Sequence, residues 1–297
     1  MDNRQLQIFH AVVSEGSFTA AARRLHMAQP AVSIAVRKLE EELQVQLFSR
    51  AERRIQLTAE GSALLRHTER ILEQFQQARL ELAELRGLAA GAVRLGTSAM
   101  MGAYFFPPLI AGFRRRYPQI RVEISGEGTR RARQLILDGE IDMGIVNMAD
   151  VPSELEAHLL VREEVVACVP PGHPFTQSRA IGMDEFTRQP LIVYREGYYL
   201  REMIESLSQA AGVVPNLAVE TNLLRLMISL VCQGQGVGFC LKRVIEQESG
   251  LRGVSFREPL FLDLGIAWKR KHYLSRANRA FVAYVLEALG QSPLENV

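Results

Sequence analysis

The sequence is poor in cysteine and has no long apolar run. It contains three cysteines in 297 residues, and a small, odd number in a chain of this length argues against a disulfide framework and for a reducing compartment. A membrane-spanning helix needs about 18 or more consecutive apolar residues, and no such run occurs. The N-terminus leads into an amphipathic pattern rather than the apolar segment of a signal peptide. We therefore expect a cytoplasmic protein without a membrane partner.

The residue groupings that carry common enzyme and metal chemistry are also missing. The six histidines are scattered without the spacing of metal ligands, so neither a metal nor another cofactor is predicted. The sequence has no nucleophile-elbow serine, no zinc-protease motif and no phosphate-binding P-loop. The glycines Gly234, Gly236 and Gly238 follow a predicted helix, whereas a dinucleotide-binding turn follows a strand. These absences argue against an enzyme.

What is present is the composition of an ordinary globular protein. Hydrophobic residues make up 47% and charged residues 23% of the chain, and 297 residues are enough for about two domains with buried cores. The formal net charge of +2 is too small to indicate a nucleic-acid partner by itself. A DNA-binding function therefore depends on where the charged residues lie.

Residues 2–58 show a pattern of short helices. Apolar residues at helical spacing cover residues 2–15, and Gly16 interrupts them. Ser17 is a good N-cap for an alanine-rich helix over residues 18–25, because its hydroxyl can accept from free backbone N–H groups. A third helix begins at Gln29 and Pro30. At about 100° per residue, its apolar side carries Val32, Val36, Leu39 and Leu43, and its opposite side carries Pro30, Ser33, Ile34, Arg37 and Glu41.

Two helices joined by a tight turn, the second with an exposed polar and basic side, are typical of a helix-turn-helix that reads the major groove of DNA. The free N–H groups at the start of the second helix can also hold a phosphate. The candidate DNA contacts in this segment are Ser17, Gln29, Pro30, Ser33 and Arg37.

The segment after this helix is a candidate wing. Residues 55–57 alternate like a short strand, and three arginines, Arg50, Arg53 and Arg54, come just before them. We expect these arginines to lie against the DNA backbone. The alternative is a solvated polar loop.

A long helix is predicted for residues 58–88. Two series of mostly apolar residues recur every seven positions, which is the spacing of a coiled-coil seam. The seam predicts a dimerising helix, and the alternative is a helix packed on its own domain. The candidate dimer contacts are Leu64, Ile71, Phe75, Leu82 and Leu85.

From residue 92 onward, predicted strands alternate with predicted helices. This order favours a mainly parallel sheet with helices on both faces. In such sheets a ligand lies beyond the carboxyl ends of the strands, where hydroxyls and free N–H groups suit a small anion. Arg195 could meet a carboxylate, and the tyrosines could stack on a ring. The candidate effector contacts are Thr97, Ser98, Thr129, Asn147, Arg195, Tyr198, Tyr199 and Thr221.

Each of these candidates has a structural alternative. Ser98 and Thr129 could simply cap helices. Arg195 could be a surface charge, and Tyr198 and Tyr199 could be surface or dimer contacts. The sequence alone leaves these alternatives open.

A long ordered motif gives the N-terminal segment a family resemblance. The run from Phe9 through residues 16–22, 29–33, 47–50 and 57–61 resembles the signature of LysR-type transcriptional regulators. Two positions depart from the pattern. Gln44 replaces a common glycine, so the end of that helix should be shifted or strained. Ala28 stands where a serine or threonine often caps the recognition helix.

The resemblance extends through looser motifs in residues 113–122, 135–145, 173–174 and 234–238 and covers nearly the whole chain. It implies an α/β protein with an all-α-type, winged helix-turn-helix domain at residues 1–58, a linker and dimerisation helix at 59–91, and an effector domain at 92–297. The effector domain is similar to periplasmic binding proteins, with one subdomain formed by residues 92–161 and 268–297 and the other by 162–267. An inducer would bind in the cleft between the two subdomains.

The partners implied by the resemblance are double-stranded promoter DNA, a small-molecule inducer, further copies of the chain in a homodimer or homotetramer, and RNA polymerase. Segments 193–198 and 268–275 look like the branch of the family that senses weak organic acids. The competing class, a stand-alone binding or transport protein, does not account for residues 2–58. Redox sensing is a further alternative, but Cys168, Cys232 and Cys240 all lie in apolar sequence and are expected to be buried.

Overall fold

A computed structural model describes residues 1–49, 55–85 and 91–292. The chain forms two compact units, Met1–Ala89 and Ala90–Val297. The predicted Arg50, Arg53 and Arg54 of the wing lie outside the described residues.

The first unit opens with three helices, α1 (Asn3–Glu15), α2 (Phe18–Arg24) and α3 (Gln29–Leu43). A capping box between Asp2 and Gln5 starts α1, and Gly16 ends it in the left-handed region at φ 59°. The three helices bury one apolar core, whose fully or nearly fully enclosed members include Phe9, Val12, Ala21, Val32, Val36, Leu39 and Leu47.

The two unusual positions of α3 have visible consequences. Ala28 precedes the helix and provides no side-chain cap. Gln44 follows the helix with φ 55° and ψ 33°, so a non-glycine residue occupies the left-handed C-cap. The helix end is thus strained rather than shifted, because a Cβ in this region crowds the backbone.

The long helix α4 (Ala59–Leu85) is anchored at its start. The Thr58 hydroxyl donates to the Gln46 carbonyl at 2.6 Å and accepts from the Gly61 N–H at 2.9 Å. Gly61 approaches the Leu47 carbonyl so closely that a Cβ would overlap the oxygen. Thr68 is fully buried, and Leu64 and Leu65 pack on the core of the first unit. The first turns of α4 therefore belong to the core of the first unit.

The second unit begins with a strand–helix alternation. Strands β1 (Ala92–Thr97), β2 (Arg121–Gly126) and β3 (Met143–Asn147) are parallel, with β1 in the middle. Three helices follow the first two strands: α5 (Ala99–Tyr104), α6 (Phe106–Arg116) and α7 (Thr129–Leu137).

The rest of the unit adds seven strands and five helices to the described part of the chain. In chain order they are β4 (Leu155–Val169), β5 (Ala180–Ile181), α8 (Met183–Thr187), β6 (Leu191–Val193), α9 (Tyr199–Ala210), β7 (Leu217–Glu220), α10 (Leu224–Cys232), β8 (Gly238–Leu241), α11 (Lys242–Gln247), β9 (Arg252–Phe256), β10 (Leu260–Lys269) and α12 (Arg276–Ala288).

The sheet is mixed, so the prediction of a mainly parallel sheet was wrong. Its order is β2-β1-β3-β10-β4-β9-β5, with β8 also paired to β4 and a separate parallel pair β6-β7. The long strands β4 and β10 are antiparallel to each other, and β10 is antiparallel to β3. Alternation along the chain could not reveal that β10 returns from more than a hundred residues away to lie between β3 and β4.

A bulge lies in the pairing of β4 with β10, between Leu264 and Gly265. A Cβ on Gly265 would lie 2.6 Å from the His158 carbonyl oxygen and would overlap the Met148 sulfur. Only glycine therefore fits at this point of the β4–β10 pair.

The cysteines are divided between core and surface. Cys168 and Cys240 are buried as expected, but Cys232 is exposed, so the prediction for this residue was wrong. Cys232 is the last residue of α10, where the helix meets solvent, and its thiol donates to the Gly250 carbonyl at 3.3 Å. Partial desolvation of the thiol raises the pKa of Cys232, and a hydrogen bond with Cys168 raises the pKa of Cys240. Neither of these two thiols has the lowered pKa of a reactive cysteine.

Candidate functional site

The outward side of α3 forms the first candidate site, which we call the α3 surface: Gln29, Pro30, Ser33, Ile34 and Arg37. All five are exposed or half-buried, while Val32, Val36 and Leu39 of the same helix are buried. The Gln29 amide donates to the Ser33 hydroxyl at 2.9 Å. The predicted division of the helix into an apolar and a polar side thus matches its packing.

Two members of the α3 surface are free to form new contacts. The Arg37 guanidinium lies 3.7 Å from Glu41, with both side chains 67% exposed. An exposed ion pair of this kind contributes little free energy, so Arg37 can exchange Glu41 for another acceptor at small cost. Ile34 is 45% exposed and offers an apolar surface between polar neighbours. The N-terminus of α3 lacks a side-chain cap, which leaves backbone donors there.

Ser17 lies at the start of α2, and its hydroxyl accepts from the Ala20 N–H at 3.4 Å. The structural alternative, a helix cap, therefore accounts for this side chain without DNA.

The base of the candidate wing is an antiparallel pair. Phe48 pairs with Leu57, and the Ser49 N–H donates to the Gln56 carbonyl at 2.8 Å. Glu40 of α3 fixes the outgoing chain by accepting from the Leu47 N–H at 2.7 Å. Residues 48–49 and 56–57 therefore form a two-stranded base beside α3.

The seam of α4 changes character along its length. Leu64 packs on the core of its own unit, and Ile71 is half-buried. Further along, Phe75 is 50% and Leu82 57% exposed. Leu85 ends the helix, and its side chain lies outside the described part. Large apolar residues at heptad spacing and without cover in one chain are what a helical partner would bury.

The second candidate site is a cavity in the second unit, with a volume of about 60 Å³. Five of the predicted effector contacts line it: Ser98, Thr129, Asn147, Tyr198 and Tyr199. They come from the ends of β1 and β3 and from the starts of α7 and α9. The fold thus brings together residues that lie about a hundred positions apart in the sequence.

Three predicted contacts do not line the cavity. Thr97 is buried and does not line the cavity. The Thr221 hydroxyl accepts from the Leu223 N–H at 3.1 Å. Arg195 is exposed on the turn that precedes Tyr198.

The remaining lining residues were missed by sequence reasoning. Most are apolar, and the sequence does not distinguish them from core residues, because a residue that covers a cavity has the same periodicity as one that packs. Gly128 and Asn222 also line the cavity, next to the predicted contacts Thr129 and Thr221. The missed residues are Ala99, Met100, Tyr194, Leu200, Leu241, Leu262 and Leu264.

The electrostatics of the cavity come from backbone rather than side-chain charge. Thr129 and Tyr199, the first residues of α7 and α9, both line it. Helix starts carry unpaired N–H groups and a partial positive charge. None of the described lining residues has an ionisable acid, a lysine or an arginine. The arrangement can therefore hold a small anion through neutral donors.

Two contacts join the elements on either side of the cavity. The guanidinium of Arg130, on α7, lies 2.9 Å from the carboxylate of Glu202, on α9. The Tyr198 ring packs against Gly128, where an added Cβ would lie 3.4 Å from the ring. These contacts hold the starts of α7 and α9 next to each other.

Comparisons with known proteins agree with this architecture. Residues 3–62 match the family model described as "Bacterial regulatory helix-turn-helix protein, lysR family". Residues 86–290 match the model "LysR substrate binding domain". A protein of Cyanophora paradoxa named "Probable RuBisCO transcriptional regulator" is 32% identical, over 97% of this chain and 93% of its own. A namesake in Cyanidium caldarium is 30% identical, over 98% and 95%.

Solved structures show the same fold. A full-length OxyR of Pseudomonas aeruginosa superposes with a TM-score of 0.71 at 25% identity, covering 96% of this chain and 95% of its own. HinK, a LysR family regulator of the same organism, superposes with a TM-score of 0.59 at 28% identity, covering 97% and 98%.

The two sites and the fold define a DNA-binding regulator in which a winged helix-turn-helix is joined to a mixed α/β effector domain resembling periplasmic binding proteins. The chain belongs to the LysR family of transcriptional regulators. It is a DNA-binding transcriptional regulator with an effector-binding domain, and it is not an enzyme. No described helix has the length and apolar character needed to cross a membrane.

Proposed function

We propose that the α3 surface reads base edges in the major groove of promoter DNA. The observation that supports this role is the one-sided exposure of α3. Ser33 and Arg37 are placed to reach base edges, and Gln29 and Pro30 lie at the helix start near the backbone. Exposed Ile34 suits the methyl group of thymine. Ser17, Arg50, Arg53 and Arg54 hold phosphates and carry no sequence information.

The protein acts as a homodimer through the outer half of α4, and pairs of dimers form a tetramer. Phe75 and Leu82 supply the apolar contacts, assisted by Ile71 and Leu85, while Leu64 packs on the core of its own unit. Two recognition helices then read half-sites about one helical turn, or a multiple of it, apart. Residues 1–58, 59–91 and 92–297 act as the DNA-binding, dimerisation and effector domains, and the protein contacts RNA polymerase in the cytoplasm.

The effector is a small organic anion that binds between subdomain 92–161 plus 268–297 and subdomain 162–267. The convergence of the α7 and α9 starts on one cavity supports an anion. The volume of about 60 Å³ is smaller than the ~150 Å³ cavity that holds benzene. The effector therefore has few heavy atoms or widens the cleft as it binds. Thr97, Arg195 and Thr221 act outside the cavity wall, behind the residues that touch the effector.

The effector controls DNA binding by a population shift. It must bind one arrangement of the cleft more tightly than another, since equal affinity would shift nothing. The arrangement that it selects is transmitted to the oligomer and changes the placement of the paired α3 surfaces.

The experiment is a pull-down of sheared genomic DNA with the full-length protein, followed by sequencing. It is run with and without straight-chain carboxylates from acetate to hexanoate. We expect enrichment at a few sites with partial dyad symmetry and a change on adding an acid. Sites upstream of RuBisCO genes would extend the role named for the relatives to this chain. Recovery that is flat in every condition contradicts the proposal.

Cavity variants separate the two sites in the same experiment. Ser98→Ala and Thr129→Val should remove the response to acid and leave the enriched sites unchanged. If these variants lose DNA binding instead, Ser98 and Thr129 are structural residues.

A further inference from the structure

The ion pair between Arg130 and Glu202 joins the first turns of the two cavity-lining helices, α7 and α9. Thr129 and Arg130 are the first two residues of α7. Glu202 lies in the first turn of α9, which starts at Tyr199. The two charges meet at 2.9 Å, with the arginine 51% and the glutamate 29% exposed. The pair therefore lies beside the cavity without entering its lining.

The pair affects an anionic ligand in two opposite ways. Arg130 is the cation adjacent to Thr129, so it can attract a carboxylate at the start of α7. Glu202 already neutralises much of that cation and would repel further negative charge at the same place. Partly exposed charges at such short range still interact appreciably, since water and salt screen them only in part.

We infer that Glu202, acting through Arg130, restricts the effector to a single negative charge. This inference rests on the proposed anion site and names the class of its ligand, a small monocarboxylate. One carboxylate is satisfied by the N–H groups at the helix starts and by the part of the Arg130 charge that Glu202 does not neutralise. A second carboxylate on the α9 side of the cavity would be repelled by the carboxylate of Glu202. Dicarboxylates of the same length are therefore rejected.

A neighbouring residue provides a matched control. Glu205 lies one helical turn further along α9 and pairs with Arg201, whose side chain is buried and does not line the cavity. Glu205→Gln removes the same charge from the same helix without touching Arg130. It should change the net charge of the protein as Glu202→Gln does and leave ligand choice unaltered.

The test is calorimetric titration of the full-length protein with pentanoate and with glutarate, which differ by one terminal carboxylate. The wild type should bind pentanoate more tightly. Glu202→Gln should reduce the ratio of pentanoate to glutarate affinity about tenfold, chiefly by raising the affinity for glutarate. Glu205→Gln should match the wild type. Arg130→Gln, which leaves Glu202 uncompensated, should weaken both acids and widen the preference. The affinity ratio of the double variant, Arg130→Gln with Glu202→Gln, should lie between those of the two single variants.

Each outcome has a distinct meaning. If Glu202→Gln and Glu205→Gln give the same ratio of affinities, or if the wild type prefers glutarate, the inference is wrong while the anion site stands. If neither acid binds the wild type or Glu202→Gln at millimolar concentration, the proposed anion site itself fails and the inference fails with it. Circular dichroism of each variant confirms that a lost signal is not lost folding.

Discussion

The α3 surface and the effector cavity are built in opposite ways. The α3 surface comes from one helix, its side chains are exposed, and their contacts are local pairs such as Gln29 with Ser33. The cavity is assembled from the ends of many elements and is closed in by apolar residues, with polar groups at helix starts. In the proposed function, one site presents side chains to a large partner, and the other encloses a small one.

The difference teaches how each site should respond to substitution. Exposed contacts contribute almost independently to the binding free energy, and salt weakens them. Their number increases when several copies of the chain bind the same DNA. Enclosed contacts depend on the backbone that closes the cavity, so a distant change in packing can abolish them. In the proposed dimer the α3 surface acts together with that of a second chain, whereas the described lining residues of the cavity belong to a single chain.

Breaking the proposed dimer gives the largest expected effect. The double change Phe75→Ala and Leu82→Ala should weaken binding to a two-half-site DNA by about a hundredfold or more, because linked binding of two modules is lost. Binding of carboxylates should not change. Gel-shift titration, calorimetry and analytical ultracentrifugation measure the three properties, with exposed Glu81→Ala as the control. A dimer that survives the double change would place the interface elsewhere.

The bulge in the pairing of β4 with β10 should be the next most sensitive point. Gly265→Ala puts a Cβ against the His158 carbonyl and should destabilise the effector domain by about 2 kcal/mol. It should impair acid binding although Gly265 does not line the cavity. The control is Gly126→Ala, because nothing lies within 4 Å of an added Cβ there. Equal unfolding midpoints for the two variants would show that the bulge is more compliant than its geometry implies.

Arg37 and Arg54 should differ in kind within the DNA-binding unit. Arg37→Gln should lower the affinity for specific DNA about tenfold and the affinity for random DNA only slightly, because a base contact is lost. Arg54→Gln should weaken both alike and lower the salt slope by about one unit. Fluorescence anisotropy at several salt concentrations measures both. The assignment of roles is wrong if the two changes act identically on specific and random DNA.

The smallest expected effect concerns the end of α3. Gln44→Gly should stabilise the first unit by about 0.5 kcal/mol, since relief of the left-handed backbone slightly exceeds the entropy that glycine adds to the unfolded chain. Gln46→Gly, at a position without positive φ, should destabilise it by a similar amount. Denaturant unfolding separates the two. A destabilising Gln44→Gly would mean that the glutamine side chain makes a contact that outweighs the strain.

Sequence reasoning succeeded where the cause of structure is local. The division of α3 into buried and exposed sides follows from helical periodicity, and the strain at Gln44 follows from the absence of a glycine. It succeeded in part at the cavity, because residues after strand ends are placed by a general property of α/β sheets. It could not find Leu262 and Leu264, since their strand reaches the cavity through a long-range antiparallel pairing that leaves no local pattern.

Thr58 has a mechanical consequence. Its hydroxyl and N–H form hydrogen bonds with Gln46, Leu47 and Gly61, so the segment that follows α3 is joined directly to the start of α4. The 27 residues of α4 form a lever about 40 Å long. A tilt of roughly 5° displaces its far end by roughly 3.5 Å, close to the rise of one base pair. A small rotation of this helix therefore moves its end by about the distance between neighbouring base pairs.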